Sequence, residues 1–164
     1  MKLQLFSFTC AECGSVFTAF DTPEDGYGDF LVRSHVAASE ARLLALIDPV
    51  YAEVRSLIAA NPRTAPKKAG LQAHALQQIY GEVACDPDRQ GHAFGLDVQP
   101  ICPQCASQRM ASWEPVAPVQ TLDKDVPPIT YRRWMGLSLS QKQQAVDEAL
   151  RHHGWSSSSG VMLP

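Results

Sequence analysis

Four of the five cysteines fall into two C-x-x-C pairs, Cys10-Ala11-Glu12-Cys13 and Cys102-Pro103-Gln104-Cys105. A turn of this kind brings two thiolates close enough to share one tetrahedral ion through metal–sulfur bonds of about 2.3 Å. Each pair then supplies half of a coordination shell, and backbone N–H groups in the turn point at the sulfurs and offset their charge. Gly14, after Cys13, can take the positive φ that such a turn requires, and Pro103 stiffens the second turn. In a reducing compartment the arrangement points to metal rather than to disulfides. The expectation is one Zn²⁺ held by Cys10, Cys13, Cys102 and Cys105. Iron in a rubredoxin-like site has the same ligand set. A shell of four sulfurs leaves no position for water, so the ion is expected to be structural and not catalytic. Two separate redox pairs would each call for a helix N-terminus in a βαβ setting, whereas both pairs here lie between strand-like segments.

The remaining reactive side chains form thinner constellations. Cys85 lies near Asp86, Asp88 and His92, which would suit a nucleophile or a second metal; a free cysteine is also among the residues most often buried. His35 and His74 fall on expected helices without a matching partner. Arg151, His152 and His153 sit in the last turn of another, where positive charge suits the helix dipole; adventitious metal binding by His152 and His153 is the alternative, and the dipole suffices to explain them. The sequence contains no Gly-rich phosphate loop, G-x-S-x-G elbow or H-E-x-x-H.

With its two knuckles, Cys10-Ala11-Glu12-Cys13-Gly14 and Cys102-Pro103-Gln104-Cys105, the chain resembles the zinc-ribbon superfamily over residues 2–20 and 96–116. The resemblance implies an α+β fold in which two short β-hairpins form a ribbon around zinc; it implies no activity, since such ribbons serve many unrelated roles. The chain departs from the pattern twice. Ala106 stands where the second knuckle often has glycine, and 88 residues separate Cys13 from Cys102, against a usual spacing of about 15–20. A helical insertion between the two hairpins accounts for the distance.

The elements that must position the cysteines follow from periodicity. LQLFSFTCAECGSVFTAF alternates apolar and polar residues on both sides of the first knuckle, with Leu3, Leu5, Val16 and Phe20 among β-branched and aromatic neighbours, and reads as a hairpin. DTPEDGYGD is a loop. From Ser34 the apolar residues Val36, Leu43, Ile47, Val50, Val54 and Leu57 recur at helical spacing. A helix kinked at Pro49 fits this stripe; the alternative is a second helix capped by Asp48. Another helix is expected over 66–80, with Gly81 just beyond its end. Strands at 96–101 and 108–116 would make a second hairpin around the second knuckle. Residues 130–135 form a short helical turn carrying Trp134. A last helix opens at Ser140 with a Ser140–Gln143 capping box, buries Val146, Ala149 and Leu150, and stops at Gly154. The division is thus a discontinuous ribbon (1–29 and 92–120), a helical insertion (30–91), a C-terminal helical segment (121–154) and a serine-rich tail (155–164).

The whole chain bounds the function. Its 164 residues, 45% apolar and 19% charged, suit one globular domain with an insertion. No apolar run approaches the roughly 18 residues that span a bilayer, and the first eight residues are too short for a secretory segment, so a cytoplasmic location without membrane contact is expected. The net charge of −3 argues against a broad nucleic-acid footprint. Charge is uneven, with four acids and no base from Asp21 to Asp29, and six bases against three acids from Phe30 to Tyr80. The leading expectation is a non-catalytic, zinc-stabilised module that binds a protein partner through the acidic loop and the Trp134 region. Adaptors and inhibitors of this size and charge include immunity proteins that neutralise a toxin. Nucleic-acid binding through Arg55, Arg63, Lys67 and Lys68 is the alternative, and a small enzyme using Cys85 and His92 is the second.

Overall fold

The computed structural model describes residues 1–23, 25–36 and 39–156. It is an α+β fold of two small antiparallel sheets and four helices. The first sheet is built on β1 (Lys2–Cys10), whose one edge carries β2 (Val16–Asp21) and whose other edge carries β6 (Met110–Pro115) beside Phe6–Cys10 and β7 (Thr121–Asp123) beside Lys2–Gln4. The second runs β4 (Glu40–Leu44), β3 (Asp29–Ser34), β5 (Phe94–Gly95). The helices are α1 (Pro49–Ala60), α2 (Ala69–Ala84), α3 (Arg132–Met135) and α4 (Leu139–His152).

The helical stripe read from Ser34 holds only from Pro49 onward. Ahead of it the chain is the β3–β4 hairpin. Ala41, Leu43 and Ala45 alternate inward while Leu44 and Leu46 point out, a period of two that a run of apolar residues disguises. Val36 and Ile47, expected on the buried stripe, are exposed, and His35 follows a strand instead of riding a helix. Asp48 ends the hairpin and caps α1: its carboxylate accepts the Tyr51 N–H at 2.8 Å, and Pro49 enters the first turn, where no donor is needed. The capped second helix is therefore the arrangement found.

Gly81 lies inside α2, which runs on to Ala84. A Cβ on it would sit 1.7 Å from the Phe94 carbonyl oxygen, so glycine here admits the backbone of β5 against the helix. Helix α4 starts two residues earlier than expected. Ser138 and Gln141 form the capping box, and Gly154 closes the helix at φ +82°.

One large core gathers Val32, Leu43, Val54, Ile58, Leu76, Ile79, Tyr80, Trp134, Val146 and Leu150 from the second sheet and all four helices. Leu3, Leu31 and Val126 form a smaller one where β1 meets β3. The buried Arg33 links the sheets. Its guanidinium donates to Asp21 Oδ2 at 2.8 Å and to the Phe20 carbonyl at 2.8 Å, both on β2. No helix among the described residues is long and apolar enough to cross a membrane.

Candidate metal centre

The two knuckles share one backbone pattern. The Cys10 N–H donates to Ser15 O and the Gly14 N–H to Cys10 O; correspondingly, Cys102 N–H donates to Ser107 O and Ala106 N–H to Cys102 O. Gly14 at φ +70° and Ala106 at φ +58° occupy the same left-handed position. The first knuckle is the turn of the β1–β2 hairpin. The second is left by β6 but entered by irregular chain, since strand pairing before it is confined to Phe94–Gly95. Pro100 lacks the donor a ladder would need, and the Val98 carbonyl turns to Arg33. Pairing of β6 with β1 brings the second knuckle to the first; the Ala11 N–H donates to Arg109 O at 2.8 Å and locks the approach.

All four sulfurs then lie within 4.8 Å of one another. Across the knuckles, Cys10 Sγ is 3.5 Å from Cys105 Sγ and Cys13 Sγ is 3.7 Å from Cys102 Sγ. A tetrahedral ion with bonds of about 2.3 Å to sulfur requires edges of about 3.8 Å, so the donor set fits such an ion with little movement. Cys10 and Cys102 are buried, Cys13 and Cys105 exposed. The four cysteines named from the sequence are thus clustered at metal-binding distance.

Sequence reasoning missed Ser15. Its hydroxyl lies 3.1 Å from Cys13 Sγ and 3.2 Å from Cys102 Sγ, bridging the knuckles. That hydrogen bond is the main reason the Cys102 thiol is lowered to about 6. At Cys105 the Ser107 N–H favours the thiolate, but hydrogen bonding from Cys13 and desolvation outweigh it and push the thiol up to about 12. Four sulfurs this close cannot all ionise without a cation among them. The signal for Ser15 was the repeat itself, because serine follows both knuckles, at positions 15 and 107.

Ala106 is the imperfect member of the pair, since left-handed backbone costs an L-residue about 1–2 kcal/mol. Ala106→Gly should raise the stability of the metal-loaded protein by about 1 kcal/mol in urea titration, because relief of that strain exceeds the added freedom of the unfolded chain. A lower midpoint would contradict the strained turn.

The other sequence candidates have structural employment. Cys85 is buried next to the end of α2, and burial pushes its thiol up to about 12, far from a working nucleophile. Asp88 accepts the Gln90 and His92 N–H groups and stands 3.3 Å from His92 Nδ1, which closes a local turn. Asp86 accepts the N–H groups of Arg132 and Arg133 at the start of α3. Neither Cys85 nor His92 joins a convergent donor group among the described residues. Trp134, expected as a contact, is wholly buried, with Nε1 donating to Glu53 at 2.8 Å. In the acidic loop, Asp21 pairs with Arg33 and Asp29 with Arg42. In the basic patch, Arg63 is held by Asp147 at 2.8 Å. The tail begins later than expected, because Trp155 is pinned by its indole to Gln78 and by its carbonyl to Arg63; the rest of the tail, 157–164, lies outside the described residues.

No protein-family model matches this chain, and neither a curated protein nor a solved structure matches it.

Proposed function

We propose that this chain is a non-catalytic protein-interaction module of the adaptor or inhibitor type, a class that includes toxin-neutralising immunity proteins, with a zinc-ribbon-like clamp as its structural metal site. A tetrahedral set of four thiolates is the preferred environment of Zn²⁺ and leaves no open position for substrate or water. Cys10, Cys13, Cys102 and Cys105 would hold the ion, and Ser15 would steady two of the sulfurs. Chemistry at the metal is thereby set aside in favour of a surface role.

The observation that carries the reading is an apolar edge at one end of the β3–β4 hairpin. Tyr27, Leu46 and Ile47 are 85%, 66% and 77% exposed there, and Leu44 lies next to them. Beside Leu44 and Ile47 runs a groove of about 330 Å³ continued by Pro49, Val126 and Ile129. Large apolar side chains gathered in this way mark contact surfaces, and aromatic residues anchor them. The partner surface therefore moves from Trp134 to the hairpin end, adjoining the acidic loop.

The test is affinity capture from the native host with metal-loaded protein, beside a Tyr27→Ser/Ile47→Glu variant that alters only exposed side chains. A protein recovered at stoichiometric level by the parent and reduced at least tenfold by the variant supports the reading. An empty capture by the parent, or equal capture by both, sinks it.

A further inference from the structure

Three donors from two parts of the chain converge at the far end of the helical core. Glu82 projects from the last turns of α2, and His152 and His153 close α4; one ligand atom from each lies within 4.8 Å of the others. His153 Nε2 is 3.1 Å from Glu82 Oε2. We propose that Glu82, His152 and His153 form a second divalent transition-metal site, open to solvent and independent of the cysteine cluster.

The surroundings hold the three donors in place. Gly154 at φ +82° turns the chain out of α4, and the Trp155 N–H returns to Leu150 O at 2.9 Å. The Trp155 indole is fixed to Gln78, one turn before Glu82 on the same helix, at 2.9 Å. The backbone that carries the two histidines is therefore held against α2. The Arg133 guanidinium donates to the Glu82 backbone carbonyl at 2.7 Å, which holds that turn without occupying its carboxylate.

The donor chemistry selects the ion. Two imidazole nitrogens and one carboxylate oxygen suit Zn²⁺, Co²⁺, Ni²⁺ or Cu²⁺, whereas Mg²⁺ and Ca²⁺ prefer an all-oxygen shell. Bonds of about 2.0–2.2 Å would draw the donors to edges of about 3.4 Å, within reach of rotations by exposed side chains. Electrostatics are balanced. Arg133 and Arg151 border the adjoining groove of about 510 Å³ together with Glu148 and Glu82, and the C-terminal end of α4 contributes negative partial charge toward a cation. Three protein donors leave at least one position for water. This separates the site from the closed shell of sulfurs, and in the sequence alone the histidines were accounted for by the helix dipole.

Cobalt titration of the untagged protein distinguishes the two sites in one experiment. The cysteine cluster takes Co²⁺ with intense sulfur-to-metal charge-transfer bands; a site of nitrogen and oxygen donors adds only weak visible absorption. The expected result is two equivalents, the second without charge-transfer intensity and displaced by Zn²⁺ but not by millimolar Mg²⁺. Glu82→Gln, His152→Asn and His153→Asn, each on an exposed side chain, should weaken the second equivalent at least tenfold and leave the first unchanged. The proposal is overturned by uptake of a single equivalent in the parent, or by a second equivalent indifferent to any one of the three substitutions. The first equivalent reports on the cysteine clamp in the same titration, so failure of one site is distinguishable from failure of the other.

Discussion

Replacing Cys102 with serine, or treating the protein with a strong chelator, is expected to release the sheet of β1, β2, β6 and β7 while the helices stay folded. The reason is the division of the interior. The large core draws on β3, β4, Phe94, Trp134 and helices α1, α2 and α4, and none of its buried members comes from β1, β2, β6 or β7. Among the described residues, the four-stranded sheet is tied to the rest of the chain by the small core around Leu3, the Arg33 bridge to β2, the Lys124–Glu40 ion pair and the Leu31 N–H to Thr22 Oγ1 hydrogen bond. The knuckles hold β1 and β6 together. Structural zinc is worth about 10–16 kcal/mol in small finger peptides, so losing it should lower the stability of this sheet by several kcal/mol. Hydrogen exchange read strand by strand, beside far-UV circular dichroism, checks the result: amides of β1, β2 and β6 should lose protection, and the helical signal should persist. Loss of the helical signal would mean that the clamp supports the whole chain. Unchanged exchange would mean that no structural ion is held.

Trp134→Ala should destabilise the protein by about 3–5 kcal/mol, the range for deleting a large buried aromatic side chain. The indole is wholly buried; Lys142 Nζ lies 5.0 Å above its ring, and Glu53 accepts both the indole N–H and the Lys142 ammonium. Truncation opens a cavity and removes one of the hydrogen bonds that hold the Glu53 carboxylate. Trp134→Phe keeps most of the apolar volume but no donor, and should fall between the parent and the alanine variant. Urea denaturation of the metal-loaded protein measures both. A loss below about 1 kcal/mol for the alanine variant would be too small for a core position.

Where the sequence could be read, one signal had one cause. The cysteine spacing encodes a turn and a ligand pair at once, so four residues far apart in the chain announced a common site. Val146, Ala149 and Leu150 lie on one side of a helix bounded by a cap and a glycine, and that helix was legible almost to its ends. The β3–β4 hairpin was not legible, because Leu43 to Ile47 is apolar on both its inward and outward positions and fits either period. Its outward residues belong to the exposed edge, so the misreading and the candidate partner surface have one origin. Gly81 misled for another reason. Glycine commonly follows a helix, but here the neighbour that demands it is the backbone of Phe94, thirteen positions on, which no local pattern records. Trp134 was read as a contact because aromatic side chains often anchor interfaces, and nothing in the local sequence records what covers it.

The long span between the knuckles also sets an order of events during synthesis. Cys10 and Cys13 emerge early as half a shell, and the chain must grow to Cys105 before the other half exists. At translation rates of about 5–20 residues per second, this two-thiolate turn waits on the order of 5–20 s, while the segments of α1 and α2 leave the ribosome and begin to pack. An ion held by the four cysteines would then be closed over an interior already partly formed, so the arrival of the second knuckle and of β6, which pairs with β1 beside it, decides when the shell is complete.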